Sequence, residues 1–164
     1  KKHMQVIRKF GNYKLSLHSG SEKFSTYKAF SEITEGNFHI KTAGTSWLEA
    51  LRVLAINSPV LFKEILKFSL ESFEKDRDSY HLTTNTGSLP DIDKVDNEDF
   101  FEYLDKHEVR QILHVTFGSV LTSKSNNGDF LFRNKIYSEL FKNEDNHYEY
   151  VSLNIRKHLN LLNI

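Results

Sequence analysis

Tyr13-Lys14-Leu15-Ser16-Leu17-His18-Ser19-Gly20 and Asn37-Phe38-His39-Ile40-Lys41-Thr42-Ala43-Gly44 are two short alternating runs. Each stops at a glycine and each is followed by an amphipathic stretch. Tyr13, Leu15 and Leu17 share one parity of the first run, and Phe38 and Ile40 share one parity of the second. Lys14, Ser16 and His18, and likewise His39 and Lys41, occupy the other. Successive side chains of a strand point to opposite faces. The spacing therefore predicts strands over 12–18 and 37–42, each with one face for packing and one bearing groups capable of chemistry.

Working outward, residues 1–10 read as the end of a helix, with Gly11 in the position that closes one. Ser21 to Ile33 carries Phe24, Tyr27 and Phe30 at helical spacing, and Gly36 ends that connection. Strand, helix, strand is the βα-unit pattern, which favours a parallel sheet. Thr45 or Ser46 caps the next helix, where Ser46-Trp47-Leu48-Glu49 has capping-box spacing. Ser58-Pro59 opens another, running to about Asp76, with proline at its favoured first position. Thr84 to Asp96 reads as a loop, Asn97 to Leu104 as a short helix, and Glu108 to Leu121 as one helix. Ser123 to Asp129 reads as a mobile polar turn, with helices over Phe130–Lys142 and Asn146–Leu162. The whole is α/β, with βα units over 1–83 and a mainly helical extension over 84–164. Parallel βα units place their sites at the carboxyl ends of the strands in a closed barrel and in an open sheet alike.

Composition removes several classes of function. The 164 residues suffice for one core. With 22 basic and 22 acidic residues, the chain lacks the concentrated positive charge of a nucleic-acid binder or a polybasic membrane anchor. It has no cysteine, hence neither disulfides nor thiolate metal sites, which fits a reducing cytosol. No apolar run approaches the roughly 20 residues that span a bilayer. Phosphate-loop, dinucleotide, zinc-protease and serine-hydrolase motifs are all missing. Lys1-Lys2-His3-Met4 does not read as a natural start, and the expectation is a fragment whose N-terminal part is missing.

Two constellations carry the candidate chemistry. His18-Ser19-Gly20-Ser21-Glu22-Lys23 sets a possible ligand or base beside a turn into a helix, whose N-terminus attracts anions, and Lys23 adds charge. Imidazole suits borderline divalent metals. An ordinary strand-end histidine bonded to a loop has the same pattern. His39 and Lys41 share a face about 7 Å apart, next to Thr42, Gly44 and Thr45. Lys41 is placed to bind a carboxylate or act as a base, and the plain alternative is a lysine at the sheet rim. His81 and His114 read as structural, whereas His3, His107, His147 and His158, lying among charged residues, read as solvated.

On these motifs the sequence resembles the tagaturonate/fructuronate epimerases of hexuronate catabolism. The segments that carry the likeness run from Lys9 to Ser25 and from Phe38 to Arg52, with Ser79-Tyr80-His81 and Arg110 to Leu121 fitting the same pattern. The resemblance implies the C-terminal part of a TIM-barrel-like (β/α)8 fold with additional C-terminal helices. It implies a cytoplasmic, metal-dependent isomerase that inverts a hydroxyl-bearing carbon of a keto-uronic acid. It also implies a divalent ion (Zn, Mn, Ni or Co) on His18 and His39. Lys41 and Glu22 would be the catalytic residues, with Ser19, Gly20, Ser21, Lys23, Thr42 and Thr45 meeting the sugar acid. Two strands cannot close a barrel, so the fragment is expected to be inactive alone, its partner being the missing N-terminal part of the same enzyme. The competing readings are another barrel enzyme of sugar acids (an isomerase, a lyase or an aldolase with Lys41 as Schiff base) and a non-catalytic helical interaction module over 97–164.

Overall fold

Helix α1 (Lys2–Phe10) ends at Gly11, whose φ of +64° turns the chain out of the helix while its N–H donates to the Ile7 carbonyl at 2.8 Å. The computed structural model describes residues 2–162 except 12, 19, 21–22, 43–44, 80–86, 88 and 90. Strand β1 (Leu15–His18) pairs with β2 (Phe38–Lys41) in parallel, with Leu15 opposite Phe38, Ser16 opposite His39, Leu17 opposite Ile40 and His18 opposite Lys41. Parallel pairing requires a crossover, and helix α2 (Tyr27–Thr34) supplies it. That helix closes through left-handed Glu35 and Gly36, the Gly36 N–H reaching back to the Ser31 carbonyl at 3.1 Å.

The alternation holds. Leu15, Leu17, Phe38 and Ile40 are half-buried, and Ser16, His18, His39 and Lys41 are exposed on the opposite face. Phe30 of α2 meets the Phe38 ring at 5.5 Å on the apolar face. Both strands are shorter than their sequence patterns, and Tyr13, grouped with the apolar parity, lies outside β1 and is 65% exposed. The predicted helix over 21–33 becomes a 3₁₀ turn at Phe24–Thr26 followed by α2. The helix N-terminus expected beside Ser19 and Gly20 is therefore seven residues further on, at Tyr27.

The remaining helices are α3 (Thr45–Asn57), α4 (Pro59–Asp76), α5 (Phe100–Tyr103), α6 (His107–Val115), α7 (Phe117–Thr122), α8 (Arg133–Lys142) and α9 (Glu144–Leu162). Pro59 stands at the start of α4 as its φ preference demands. The single helix predicted over 108–121 breaks at Thr116. Its hydroxyl donates back to the Ile112 carbonyl at 2.9 Å, competing with the helical ladder. Residues 123–129 form a pinned hairpin where a mobile turn was expected. Lys124 bridges Phe130, Ser125 N–H donates to the Asp129 carbonyl at 2.8 Å, and Gly128 takes φ +87°.

Two compact units result, Lys1–Thr45 with Val151–Ile164, and Ser46–Tyr150. The first contains the sheet and the second is helical. The helical core is built on Leu51, Leu54, Phe62, Ile65, Phe100 and Leu113, with the Trp47 indole donating to the Leu113 carbonyl at 2.8 Å. Among the described residues no helix is long and apolar enough to cross a membrane.

Candidate functional site

The parallel register places four polar side chains on one exposed face. His18 and Lys41 stand opposite each other at the carboxyl ends of β1 and β2, with Ser16 and His39 opposite each other two residues back. Ser16 Oγ and His39 Nδ1 are hydrogen bonded at 2.8 Å. This bond holds the ring so that Nε2 is left for another partner. His18 and His39 are diagonal neighbours across the pair, about 8 Å apart at Cα by strand geometry, close enough for the two rings to converge on one ion.

Beyond His18 the chain turns sharply. Lys23 Nζ donates to the His18 carbonyl at 2.7 Å, and the Lys23 N–H donates to the Gly20 carbonyl at 2.9 Å. Gly20 is buried, and a Cβ there would lie 2.5 Å from Ile40 Cγ2, 2.6 Å from the Tyr27 hydroxyl and 3.6 Å from the Lys41 carbonyl. A larger residue there requires the Ile40 or Tyr27 side chain, or the backbone at Gly20, to shift.

Under this turn lies a pair that the sequence did not disclose. Tyr27 is fully buried, and its hydroxyl is 2.7 Å from Nδ1 of His158 on α9. His158, read from its charged neighbours as solvated, is 9% exposed, because α9 turns it inward against Tyr27 and the Phe24 ring, 4.8 Å away. Burial, with a smaller push from Lys157, lowers its pKa, and burial raises that of Tyr27. His158 Nε2 has no hydrogen-bond partner among the described residues, and the ring lines a cavity of about 230 Å³ with Ile40, Thr42, Ile155 and Leu159. His147 also departs from the solvated reading and is half-buried. Phe24 and Tyr27 show helical spacing in the sequence, but no local signal links Tyr27 to a residue 131 positions away.

Of the residues expected at the site, His18, His39, Lys41, Gly20 and Lys23 gather around the ends of β1 and β2, and Thr42 is exposed just past β2. The Lys23 ammonium is engaged by the His18 carbonyl, and of its three donors this bond uses one. Ser19, Ser21, Glu22 and His81 lie outside the described residues, as does the side chain of Thr45, which opens α3. His114 is half-buried on α6. No group of three His, Cys, Asp or Glu side chains placed to hold a metal occurs among the described residues. In the helical unit a second cavity, about 740 Å³, lies against Pro59, Glu64, Lys135 and Glu139.

Imidazole and ammonium groups at the carboxyl ends of two adjacent parallel strands stand at the edge where α/β sheets usually hold their sites. The chain belongs to the UxaE family, tagaturonate epimerase, whose sequence profile matches residues 1–162. It is 44% identical over 162 residues to the tagaturonate/fructuronate epimerase of Thermotoga maritima, covering 99% of this chain and 32% of that protein. Crystal structures of fructuronate-tagaturonate epimerase UxaE from Cohnella laeviribosi with one and with two glycerols superpose on it with TM-scores of 0.92 and 0.93. They are 39% and 38% identical, and the superpositions cover 96% and 97% of this chain and 32% of each of theirs. The chain thus spans about a third of the length of the relatives it matches.

Proposed function

We propose that this chain is the C-terminal third of a cytoplasmic, metal-dependent epimerase that interconverts tagaturonate and fructuronate on a TIM-barrel-like fold. On this reading it is inactive until joined to the rest of that enzyme. The observation that carries the proposal is the gathering of His18, His39 and Lys41 on one exposed sheet face in a chain of this family. The donor chemistry fits a borderline divalent ion. Two imidazoles share the face, and Ser16 Oγ orients one of them, as hydroxyl or carbonyl partners orient metal-bound histidines. His18 and His39 would hold zinc, manganese, nickel or cobalt, with the remaining ligands coming from outside the described residues. When bound, such an ion polarises the keto and hydroxyl oxygens and stabilises the negative charge that develops there.

The chain's own groups add substrate binding and proton transfer to what the rest of the enzyme supplies. Lys41, at the strand tip, pairs with the substrate carboxylate or carries the proton that leaves one face of the sugar carbon and returns on the other. Glu22 supplies the acidic partner in that transfer. Ser19, Gly20, Ser21, Lys23, Thr42 and Thr45 meet the carboxylate and hydroxyls. The test uses the full-length enzyme carrying this sequence, supplied in turn with Mn²⁺, Zn²⁺, Ni²⁺ or Co²⁺, and follows tagaturonate–fructuronate interconversion. His18→Ala is expected to lower both bound metal and rate; unchanged metal content and rate would refute the assignment. Borohydride with substrate should trap no adduct, and an adduct on Lys41 would replace the metal reading with Schiff-base chemistry.

A further inference from the structure

We propose that Tyr27 and His158 are a buried positioning pair that sets the height of the Gly20 turn against β2, and so holds His18 beside Lys41. The inference rests on the epimerase reading above. Gly20, past the end of β1, is buried against the end of β2. Its hypothetical Cβ would strike the Tyr27 hydroxyl and Ile40 at 2.6 and 2.5 Å, so the floor of the turn is that hydroxyl together with the Ile40 methyl. The hydroxyl is held from behind by His158 Nδ1 at 2.7 Å, and both rings are packed by Phe24, at centroid distances of 5.4 Å to Tyr27 and 4.8 Å to His158.

The turn is also tied from outside, by Lys23 Nζ on the His18 carbonyl and by the Lys23 N–H on the Gly20 carbonyl. Lys23 thus links the two, bonded to Gly20 through its N–H and to His18 through Nζ, so a change in the height of Gly20 is passed to His18, register partner of Lys41. Of the groups assigned to substrate, the pair bears on Gly20 from its buried side. It acts through the turn.

The experiment uses the full-length enzyme with Tyr27→Phe, which removes only the hydroxyl, and His158→Gln, which keeps a hydrogen-bonding side chain of similar length. Positioning predicts that kcat falls on the order of tenfold or more in Tyr27→Phe, while KM stays within about twofold and the protein remains folded. His158→Gln should recover part of that loss by still bonding the Tyr27 hydroxyl. Gly20→Ala should cost less in the Tyr27→Phe background than in the parent, because one of the two atoms that its Cβ meets is gone, giving a measurable coupling. The His18 resonance in protein labelled with ¹⁵N-histidine should move in both single variants. Additive effects with Gly20→Ala and an unmoved His18 resonance would overturn the proposal, leaving a pair that only stabilises the fold. A parent without epimerase activity would overturn the functional reading alone, and the His18 resonance would still decide the positioning claim.

Discussion

Replacing Arg52 with methionine removes a charge from the end of the second motif and asks whether that end is structural. Glu49 and Arg52 lie one turn apart on α3, 4% and 8% exposed. Arg52 Nε donates to Glu49 Oε2 at 2.9 Å, Nη2 donates to Asp105 Oδ1 at 2.6 Å, and the guanidinium lies 4.9 Å over the Phe101 ring. Burial works against the charge, but the hydrogen bonds and charges of Asp105 and Glu49 outweigh it and hold the guanidinium's pKa above its usual value. The two arms differ in worth. The Asp105 side chain is 57% exposed, so that pair contributes about 0.5 kcal/mol. The Glu49 side chain is 5% exposed, and stripping its counter-charge leaves a desolvated carboxylate at a cost of about 3–5 kcal/mol. Methionine keeps much of the stem's packing, so the loss reads as electrostatic. At a urea slope of about 2 kcal/mol/M, the midpoint measured by circular dichroism should fall by roughly 1.5–2.5 M. Glu49→Met with Arg52→Met removes both charges and should recover most of that fall. A single variant costing under about 1 kcal/mol, or a double variant as unstable as the single, would refute the reasoning.

Two further outcomes test the site and its support. Ser16→Ala removes the hydrogen bond that orients His39, so Mn²⁺ affinity measured by calorimetry should weaken by about tenfold; unchanged affinity would take His39 off the ion. His158 has a folded pKa below its usual 6.5, through burial first and Lys157 second. Above about pH 6.5 the ring is neutral folded and unfolded, and its contribution is fully present. As the pH falls below 6.5 the unfolded chain takes up the proton first, and stability drops down to the folded pKa. The melting temperature of His158→Gln should therefore fall less than that of the parent between pH 7.5 and pH 5.5, and parallel curves would count against a buried neutral imidazole.

How far the fold was legible follows from the range of each signal. The two strands and their polar faces were readable because period-2 alternation is local, and within each strand the members of the face stand two residues apart. Pro59 and Gly11 were readable for the same reason, each being a backbone requirement met by one residue type. Glu49, singled out by its capping-box spacing, also pairs with Arg52 and is buried in the helical unit, a use that local spacing does not announce. Thr116 misled. An apolar stripe ran through it, and the helix breaks where the Thr116 hydroxyl and N–H share the Ile112 carbonyl. Tyr27 and His158 were invisible, because their bond joins positions 131 residues apart and His158 stands in a charged stretch.

The sheet itself carries an argument about its surroundings. Parallel sheets occur almost only with both faces covered, since their crossovers bury them, and a two-stranded sheet is marginal in water. Here one face is half-buried and the other presents Ser16, His18, His39 and Lys41 to solvent. Among the described residues each strand pairs along one edge only. Open edges seek partners, and a polar face of imidazoles and an ammonium suits the inside of a barrel better than water, where it would have no role. The geometry that leaves this pair incomplete is thus the geometry that the proposed barrel would complete. Further parallel strands would pair with the outer edges that β1 and β2 leave open among the described residues, and their inward side chains would add ligands to the ion proposed on His18 and His39.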